Sequence, residues 1–283
     1  MTSGAGRLLH HQLKDLAPEH PFHEVCKRII AREDNWISSQ WMTERPGGSD
    51  VQNSETFALY SPLSSSEKTG NMRFDEGDWL VSGYKFFCSA TDCDIALMLA
   101  KTELGQLSLF IAPTKKTITL PDGRQEVITN GIRFHRLKNK MGTKELPTAE
   151  LELQNVRAWL VGPLDRGIAT IATLLNVTRT HNLITALSCW RRGMAIAKGF
   201  ARARTTIDQP LWTFPMHLRL LASMEVKFQG LLQLAFFTTS LLSFVDNGFP
   251  PSEAGYAPLP GPGEQTVVVQ RALVSHCPRK DRL

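Results

Sequence analysis

Three short segments hold the residue types that could do chemistry together. The first is Trp41-Met-Thr-Glu-Arg-Pro-Gly-Gly-Ser-Asp50. Thr43, then Pro46-Gly47-Gly48, then Ser49-Asp50 spell a tight turn at the end of a strand. There, small residues let backbone amides approach an anionic or carbonyl-rich ligand while hydroxyls orient it. No Gly-Lys-Thr follows and the spacing is not GxGxxG, so neither phosphate-loop pattern applies. A plain β turn would have the same composition. The second segment, Gly83-Tyr-Lys-Phe-Phe-Cys-Ser89, is a strand ending in aromatic, thiol and hydroxyl groups. A flat conjugated ligand needs such an aromatic wall with one or two polar contacts to its heteroatoms. The third, Leu137-Lys-Asn-Lys-Met-Gly-Thr-Lys144, runs through Pro147-Thr148-Ala149-Glu150 into another strand.

The elements that must position these segments follow in three regimes. Residues 1–38 read as helical, through LKDLA and HEVCKRIIAR. From 39 to 156 come short runs rich in β-branched and aromatic residues between Gly, Pro, Asn and Ser: WLVSGYKFF, DIALMLA, LSLFIAP, GIRFHRL and TAELELQNV. GIRFHRL and LELQNV alternate apolar with polar, as strands with one wet face do. Residues 157–246 are helical again. No proline occurs from Gly167 to Ala203, where Ile168, Ile171, Leu175, Leu187, Trp190, Met194, Ala197 and Ala201 recur at three- and four-residue spacing. That predicts a long amphipathic helix, broken at most once. Residues 205–214 form a connector, and Pro215 suits the first turn of a second helix reaching about Val245. Residues 247–283, Pro- and Gly-rich and then without clear period, predict a poorly ordered tail.

Composition narrows the class. The 283 residues are 42% apolar and 21% charged, an ordinary globular balance, and the net charge of +5 does not by itself imply a nucleic-acid partner. The five cysteines are scattered, with no pair spaced for zinc, which predicts reduced thiols, no metal and an intracellular chain. The N-terminus lacks the apolar core of a secretory signal. Phe228–Val245 carries no charge and reaches the lower length limit for a spanning helix. Gln229, Gln233, Thr238, Thr239, Ser240 and Ser243 interrupt it, so a helix buried among other helices, with no membrane, is the expectation.

The three segments, in this order, resemble the acyl-CoA dehydrogenase family, and within it the AidB-like alkylation-response branch. Thr-Glu-x-x-Gly-Gly-Ser-Asp is similar to the family's flavin loop. Gly-x-Lys-aromatic-aromatic-x-Ser resembles its second flavin contact, and Lys-x-Gly-x-x-x-x-Pro-Thr-Ala-Glu its next strand pair. The resemblance covers roughly residues 25–245. It implies an α+β fold, a central antiparallel β domain followed by an antiparallel helical bundle, here incomplete. It implies FAD as cofactor and an acyl-CoA thioester or related small molecule as substrate. It also implies a homo-oligomer, dimer or tetramer.

By the same resemblance, Met42 and Thr43 would bond the pyrimidine edge of the isoalloxazine, and Ser49 would sit near the pyrophosphate and the thioester. Phe87, Cys88 and Ser89 would flank the ring, Ser89 near N5, with Phe87 where many members carry Trp. Arg204 and Thr206 match a segment reaching the FAD of a neighbouring subunit, but Ile207 and Asp208 replace its Phe and Gly. Arg179 matches an arginine near the active site. A buried structural arginine is the alternative reading.

The family reaction needs a carboxylate to remove the α-proton of the thioester while a β-hydride passes to the flavin. Thr178 stands at one of the places where members carry that base, and a hydroxyl cannot serve near pH 7. The catalytic base is therefore unknown, and the chain reads as a fragment or truncated product. Between Asp165 and Asp208 there is no acid, while Arg166, Arg179, Arg191, Arg192, Lys198, Arg202 and Arg204 all occur. Anionic ligands, or a solvated face, would account for that excess. It also gives weak support to an alternative, a flavoprotein that binds DNA in an alkylation response. Cytoplasmic localisation is expected, with mitochondrion and peroxisome open.

Overall fold

The computed structural model describes residues 1–48, 50–64 and 72–247. Ser49 and the tail beyond 247 therefore lie outside the described residues. The chain forms two units, Met1–Leu175 and a second beginning at Asn176.

The first unit opens with helices α1 (Thr2–Gln12) and α2 (Phe22–Ile30). In α2 the buried residues are Phe22, Val25, Cys26 and Ile29, one stripe at helical spacing. Burying an apolar side chain of this size contributes on the order of 1.5–3 kcal/mol. In α1 the inward residues include Gly4, Ala5 and Gly6, whose small size allows close approach. A Cβ on Gly4 would come 2.8 Å from Leu174 Cγ.

Seven strands make one sheet: β1 (Ser38–Trp41), β2 (Phe57–Tyr60), β3 (Trp79–Ser89), β4 (Ile95–Lys101), β5 (Leu107–Pro113), β8 (Ile132–Leu137) and β9 (Thr148–Leu160). Between β5 and β8, β6 (Lys115–Thr119) and β7 (Gln125–Thr129) form a separate hairpin that the sequence segments above do not include. Antiparallel pairing dominates, but the sheet is mixed. β1 and β2 both join β4 in parallel. The pairings β4–β5–β9–β3–β2–β4 close a ring, with β1 added beside β4 and β8 beside β9.

Closure explains why IALMLAK and LSLFIAP are apolar runs rather than alternations, since both faces are covered. Ile95, Leu97 and Leu99 share one core with α1, α2 and the start of helix α3 (Gly167–Ala203). Ala96, Met98 and Ala100 enter a second core with Trp41, Val81, Cys88 and Leu151.

In the second unit α3 and α4 (Pro215–Asn247) run antiparallel. Leu187 meets Phe228 and Ala235 in one cluster, and Met194 and Ala201 meet Leu221 in another. α3 is unbroken over its 37 residues. The connector holds β10 (Thr205–Thr206) and β11 (Gln209–Pro210), joined through Ile207 and Asp208 at φ +50° and +55°. Two successive positive φ values make a hairpin turn of the kind that favours Asn-Gly. Of the apolar window of α4, 22% is buried among the described residues. By length and composition α4 could cross a membrane. Val226 and Phe236 are 72% and 64% exposed.

Candidate flavin site

At the end of β1 the chain turns back on itself. The Glu44 amide donates to the Gly47 carbonyl at 2.9 Å, and the Gly47 amide to the Glu44 carbonyl at 3.3 Å. A Cβ on Gly47 would lie 3.0 Å from Ser54 Oγ and 3.1 Å from its amide, so the turn is packed at backbone level. Beneath it lies a charge pair with almost no solvent contact. Lys85 Nζ donates to Glu44 Oε1 at 2.6 Å and to the Leu99 carbonyl at 2.9 Å. The side chains are 0% and 2% exposed. Glu44 also accepts from the Thr56 hydroxyl at 2.6 Å and from the Glu55 and Thr56 amides at 2.6 and 3.2 Å. Burial alone would raise the Glu44 carboxyl. The Lys85 charge and these hydrogen bonds outweigh it and hold the group below its ordinary value.

The strand end is re-aimed by a bulge. Lys85 pairs with Leu151 but Cys88 with Ala149, so β3 gains one residue on β9 there. Phe87 turns outward at 42% exposure, while Cys88 is wholly buried in the second core. Only the backbone of Cys88 runs along the surface that Phe87 and Ser89 share. Met42, half-buried, packs against the first core.

Loop and strand end are tied together. The Phe86 amide donates to the Thr43 carbonyl at 2.9 Å. The Ser89 carbonyl accepts from the Ser39 hydroxyl and from Trp41 Nε1 at 3.3 Å. Thus Met42, Thr43, Phe87, Cys88 and Ser89 gather in one place, and the mutual approach of the two segments is a property of the first unit. Arg179, Arg204 and Thr206 belong to the second unit. Arg179 is exposed rather than buried, and its Nη1 donates to Asn176 Oδ1 at 3.2 Å. Arg204 is exposed and leads into β10, where Thr206 pairs with Gln209.

The first unit belongs to a wider set of known domains. Residues 39–156 match the acyl-CoA dehydrogenase middle domain, and residues 165–256 match the acyl-CoA dehydrogenase C-terminal domain. The chain belongs to the acyl-CoA dehydrogenase family. It is 36% identical over 229 residues to acyl-CoA dehydrogenase family member 11 of Caenorhabditis elegans, covering 80% of this chain and 35% of that protein. It is 31% identical over 232 residues to AidB of Escherichia coli (strain K12), covering 82% of this chain and 38% of that protein. The solved structure of C. elegans ACDH-11 in complex with C11-CoA superposes with a TM-score of 0.71 at 31% identity, over 96% of this chain and 42% of that one. The chain therefore spans little more than a third of the length of these two curated relatives.

Two features around the site were not assigned from sequence. One is the Glu44–Lys85 pair. A signal was present: Val81, Gly83 and Lys85 share one face of β3 at period two, which puts a lysine inward and demands a carboxylate. The other is a cluster on Glu150, which accepts from Tyr84, Arg136 and Lys138. The Lys138 hydrogen bond, followed by those of Tyr84 and Arg136, lowers its carboxyl to about 2. Lys138 Nζ also lies 3.3 Å above the centre of the Phe86 ring, and the Arg45 guanidinium 5.2 Å from it. The Pro-Thr-Ala-Glu motif had marked Glu150, but not which cations surround it.

Proposed function

We propose that this chain is the flavin-binding part of an FAD-dependent oxidoreductase of acyl-CoA dehydrogenase type, acting on the CH–CH bond of an acyl-CoA thioester. The observation that carries the reading is the Phe86 amide to Thr43 carbonyl bond. It sets the Gly-Gly loop beside the aromatic and hydroxyl groups of the β3 end. The family's homologues bind FAD, and ACDH-11 has been seen with C11-CoA.

The residues present fit such a ligand. Ser89 Oγ has one hydrogen-bond partner among the described residues, Thr148 Oγ1, and so keeps capacity for another. Met42 through its backbone and Thr43 through its hydroxyl would hold the pyrimidine edge, Phe87 would cover the ring, and Ser89 would bond near N5. Ser49 would lie toward the pyrophosphate and thioester, Arg179 toward the substrate, and Arg204 and Thr206 toward the FAD of a second copy. Cys88 would contribute through its backbone. When bound, the flavin would accept the substrate's β-hydride. Proton removal is assigned to none of the described residues, because Thr178 is a hydroxyl at the position considered for it.

The uncovered apolar side chains of α3 and α4 support a homo-oligomer. Two cations of the basic run on α3 already have partners within this chain. Lys198 pairs with Glu225 at 2.8 Å, and Arg202 lies over the Trp212 ring. The test is visible absorption of the purified protein and titration with FAD. Bound flavin is expected, and Thr43→Ala and Ser89→Ala should each weaken FAD binding by about three- to tenfold, one hydrogen bond's worth. A protein that takes up no FAD, or variants that bind as wild type, would overturn the placement.

A further inference from the structure

Behind Ser89 runs a chain of side-chain hydrogen bonds that ends in a cation. Lys140 Nζ donates to Thr148 Oγ1 at 2.7 Å and to the Leu146 carbonyl at 2.9 Å. Thr148 Oγ1 lies 2.8 Å from Ser89 Oγ and 3.4 Å from the Leu146 carbonyl. An ammonium has three donors and no acceptor, so the Thr148 oxygen must accept from Lys140. The Thr148 proton then has two places to go. The Leu146 carbonyl is distant at 3.4 Å and already accepts from Lys140, whereas Ser89 Oγ stands at normal bonding distance.

With Thr148 donating to it, Ser89 has an acceptor lone pair filled and its own proton unspent. Among the described residues nothing else takes that proton. Thr148 is 1% exposed, so the middle of the chain is fixed by packing and shielded from water, where hydrogen bonds polarise one another most.

We infer that Thr148 and Lys140 are positioning residues that turn the Ser89 hydroxyl into an outward-facing donor, aimed at an acceptor atom of the bound ligand. The inference rests on the flavin reading, in which that acceptor is the ring nitrogen N5. The direction of donation is Lys140 to Thr148 to Ser89 to ligand. No proton is transferred; the cation orients and polarises two hydroxyls in series. Without the chain Ser89 could equally accept, and it would lose its preference for a hydrogen-bond acceptor.

The experiment uses the full chain with FAD, reading the dissociation constant by flavin fluorescence and the position and fine structure of the flavin absorption bands. Thr148→Val keeps the shape and removes the hydroxyl, Thr148→Ser keeps the hydroxyl, and Lys140→Met removes the cation. Thr148→Val is expected to weaken FAD by about three- to tenfold and to shift the bands in the same sense as Ser89→Ala. Lys140→Met should shift them in the same sense but less, and Thr148→Ser should match wild type. The Ser89→Ala/Thr148→Val double variant should be no weaker than Ser89→Ala alone, because both act through one hydroxyl. Bands altered by Ser89→Ala but unmoved by Thr148→Val would overturn the relay and leave the flavin site standing. A loss in Thr148→Val that Thr148→Ser repeats would also overturn it, as packing rather than the hydroxyl would be responsible. No effect of Ser89→Ala, or no FAD uptake by wild type, would overturn the flavin reading and the relay with it.

Discussion

Replacing Lys85 by Met tests how the loop at 43–48 is held. Methionine fills similar space, so packing is largely kept while the charge and two hydrogen bonds, to Glu44 and to the Leu99 carbonyl, are lost. Glu44 is then a carboxylate 3% exposed as a residue, with the Thr56 and Glu55 donors but no counter-charge. Removing one partner of a buried pair costs about 3–5 kcal/mol. For a unit the size of Met1–Leu175 that is roughly 6–20 °C in melting temperature, at 2–4 °C per kcal/mol.

The assay is thermal or urea unfolding of wild type, Lys85→Met, Glu44→Gln and the double variant, repeated across pH. The double variant should be less destabilised than the sum of the singles by about 1–3 kcal/mol. The pH dependence separates charge from packing. In wild type the depressed Glu44 carboxyl contributes stability above its ordinary value and loses it as pH falls. In Lys85→Met the charge that outweighs burial is gone and only the Thr56 and Glu55 donors remain, so the carboxyl rises relative to wild type and the deficit grows as pH rises. The deficit of the variant should therefore shrink as pH falls. A Lys85→Met protein within about 1 kcal/mol of wild type, additive singles, or a deficit independent of pH would refute the reasoning.

Three other outcomes are expected. Glu150, held at about 2 by Lys138, Tyr84 and Arg136, contributes stability that is full above 4.5 and lost as pH falls toward 2. Glu150→Gln should flatten that part of the acid unfolding curve followed by circular dichroism. Cys88 and Cys93, pushed up to about 12 chiefly by burial, should resist alkylation at pH 8 in the folded protein. Exposed Cys189 should react, as mapped by mass spectrometry. Ala90 holds φ +49° just after Ser89, so Ala90→Gly should stabilise the first unit by about 0.5–1 kcal/mol in urea melts. An unchanged midpoint would show that its left-handed conformation carries no strain.

Some elements of the fold were legible because their signals are local. The α2 stripe, the proline-free stretch that became α3, and Pro215 at the start of α4 each depend on neighbours a turn away. The motif segments were legible too, since a Pro-Gly-Gly turn needs only its own small residues. The β6–β7 hairpin was passed over because its strands are short and mostly wet, so neither alternation nor an apolar run marks them. What covers α4 was not legible for a different reason. Apolar composition says that a surface resists water, not which neighbours cover it.

The order of residues alone therefore determined the helices, the strand-rich middle region, the turn at 43–48 and the family to which the chain belongs. Tertiary structure decided which of them meet. That Glu44 would find Lys85, that Thr148 and Lys140 would line up behind Ser89, and that Glu225 of α4 would neutralise Lys198 of α3 are facts of pairing and register. The bulge that turns Phe87 outward and Cys88 inward belongs with them, because one extra residue reverses every following side chain. Most of these contacts join segments far apart along the chain. Their energies depend on burial and distance, which exist only once the backbone has closed around them.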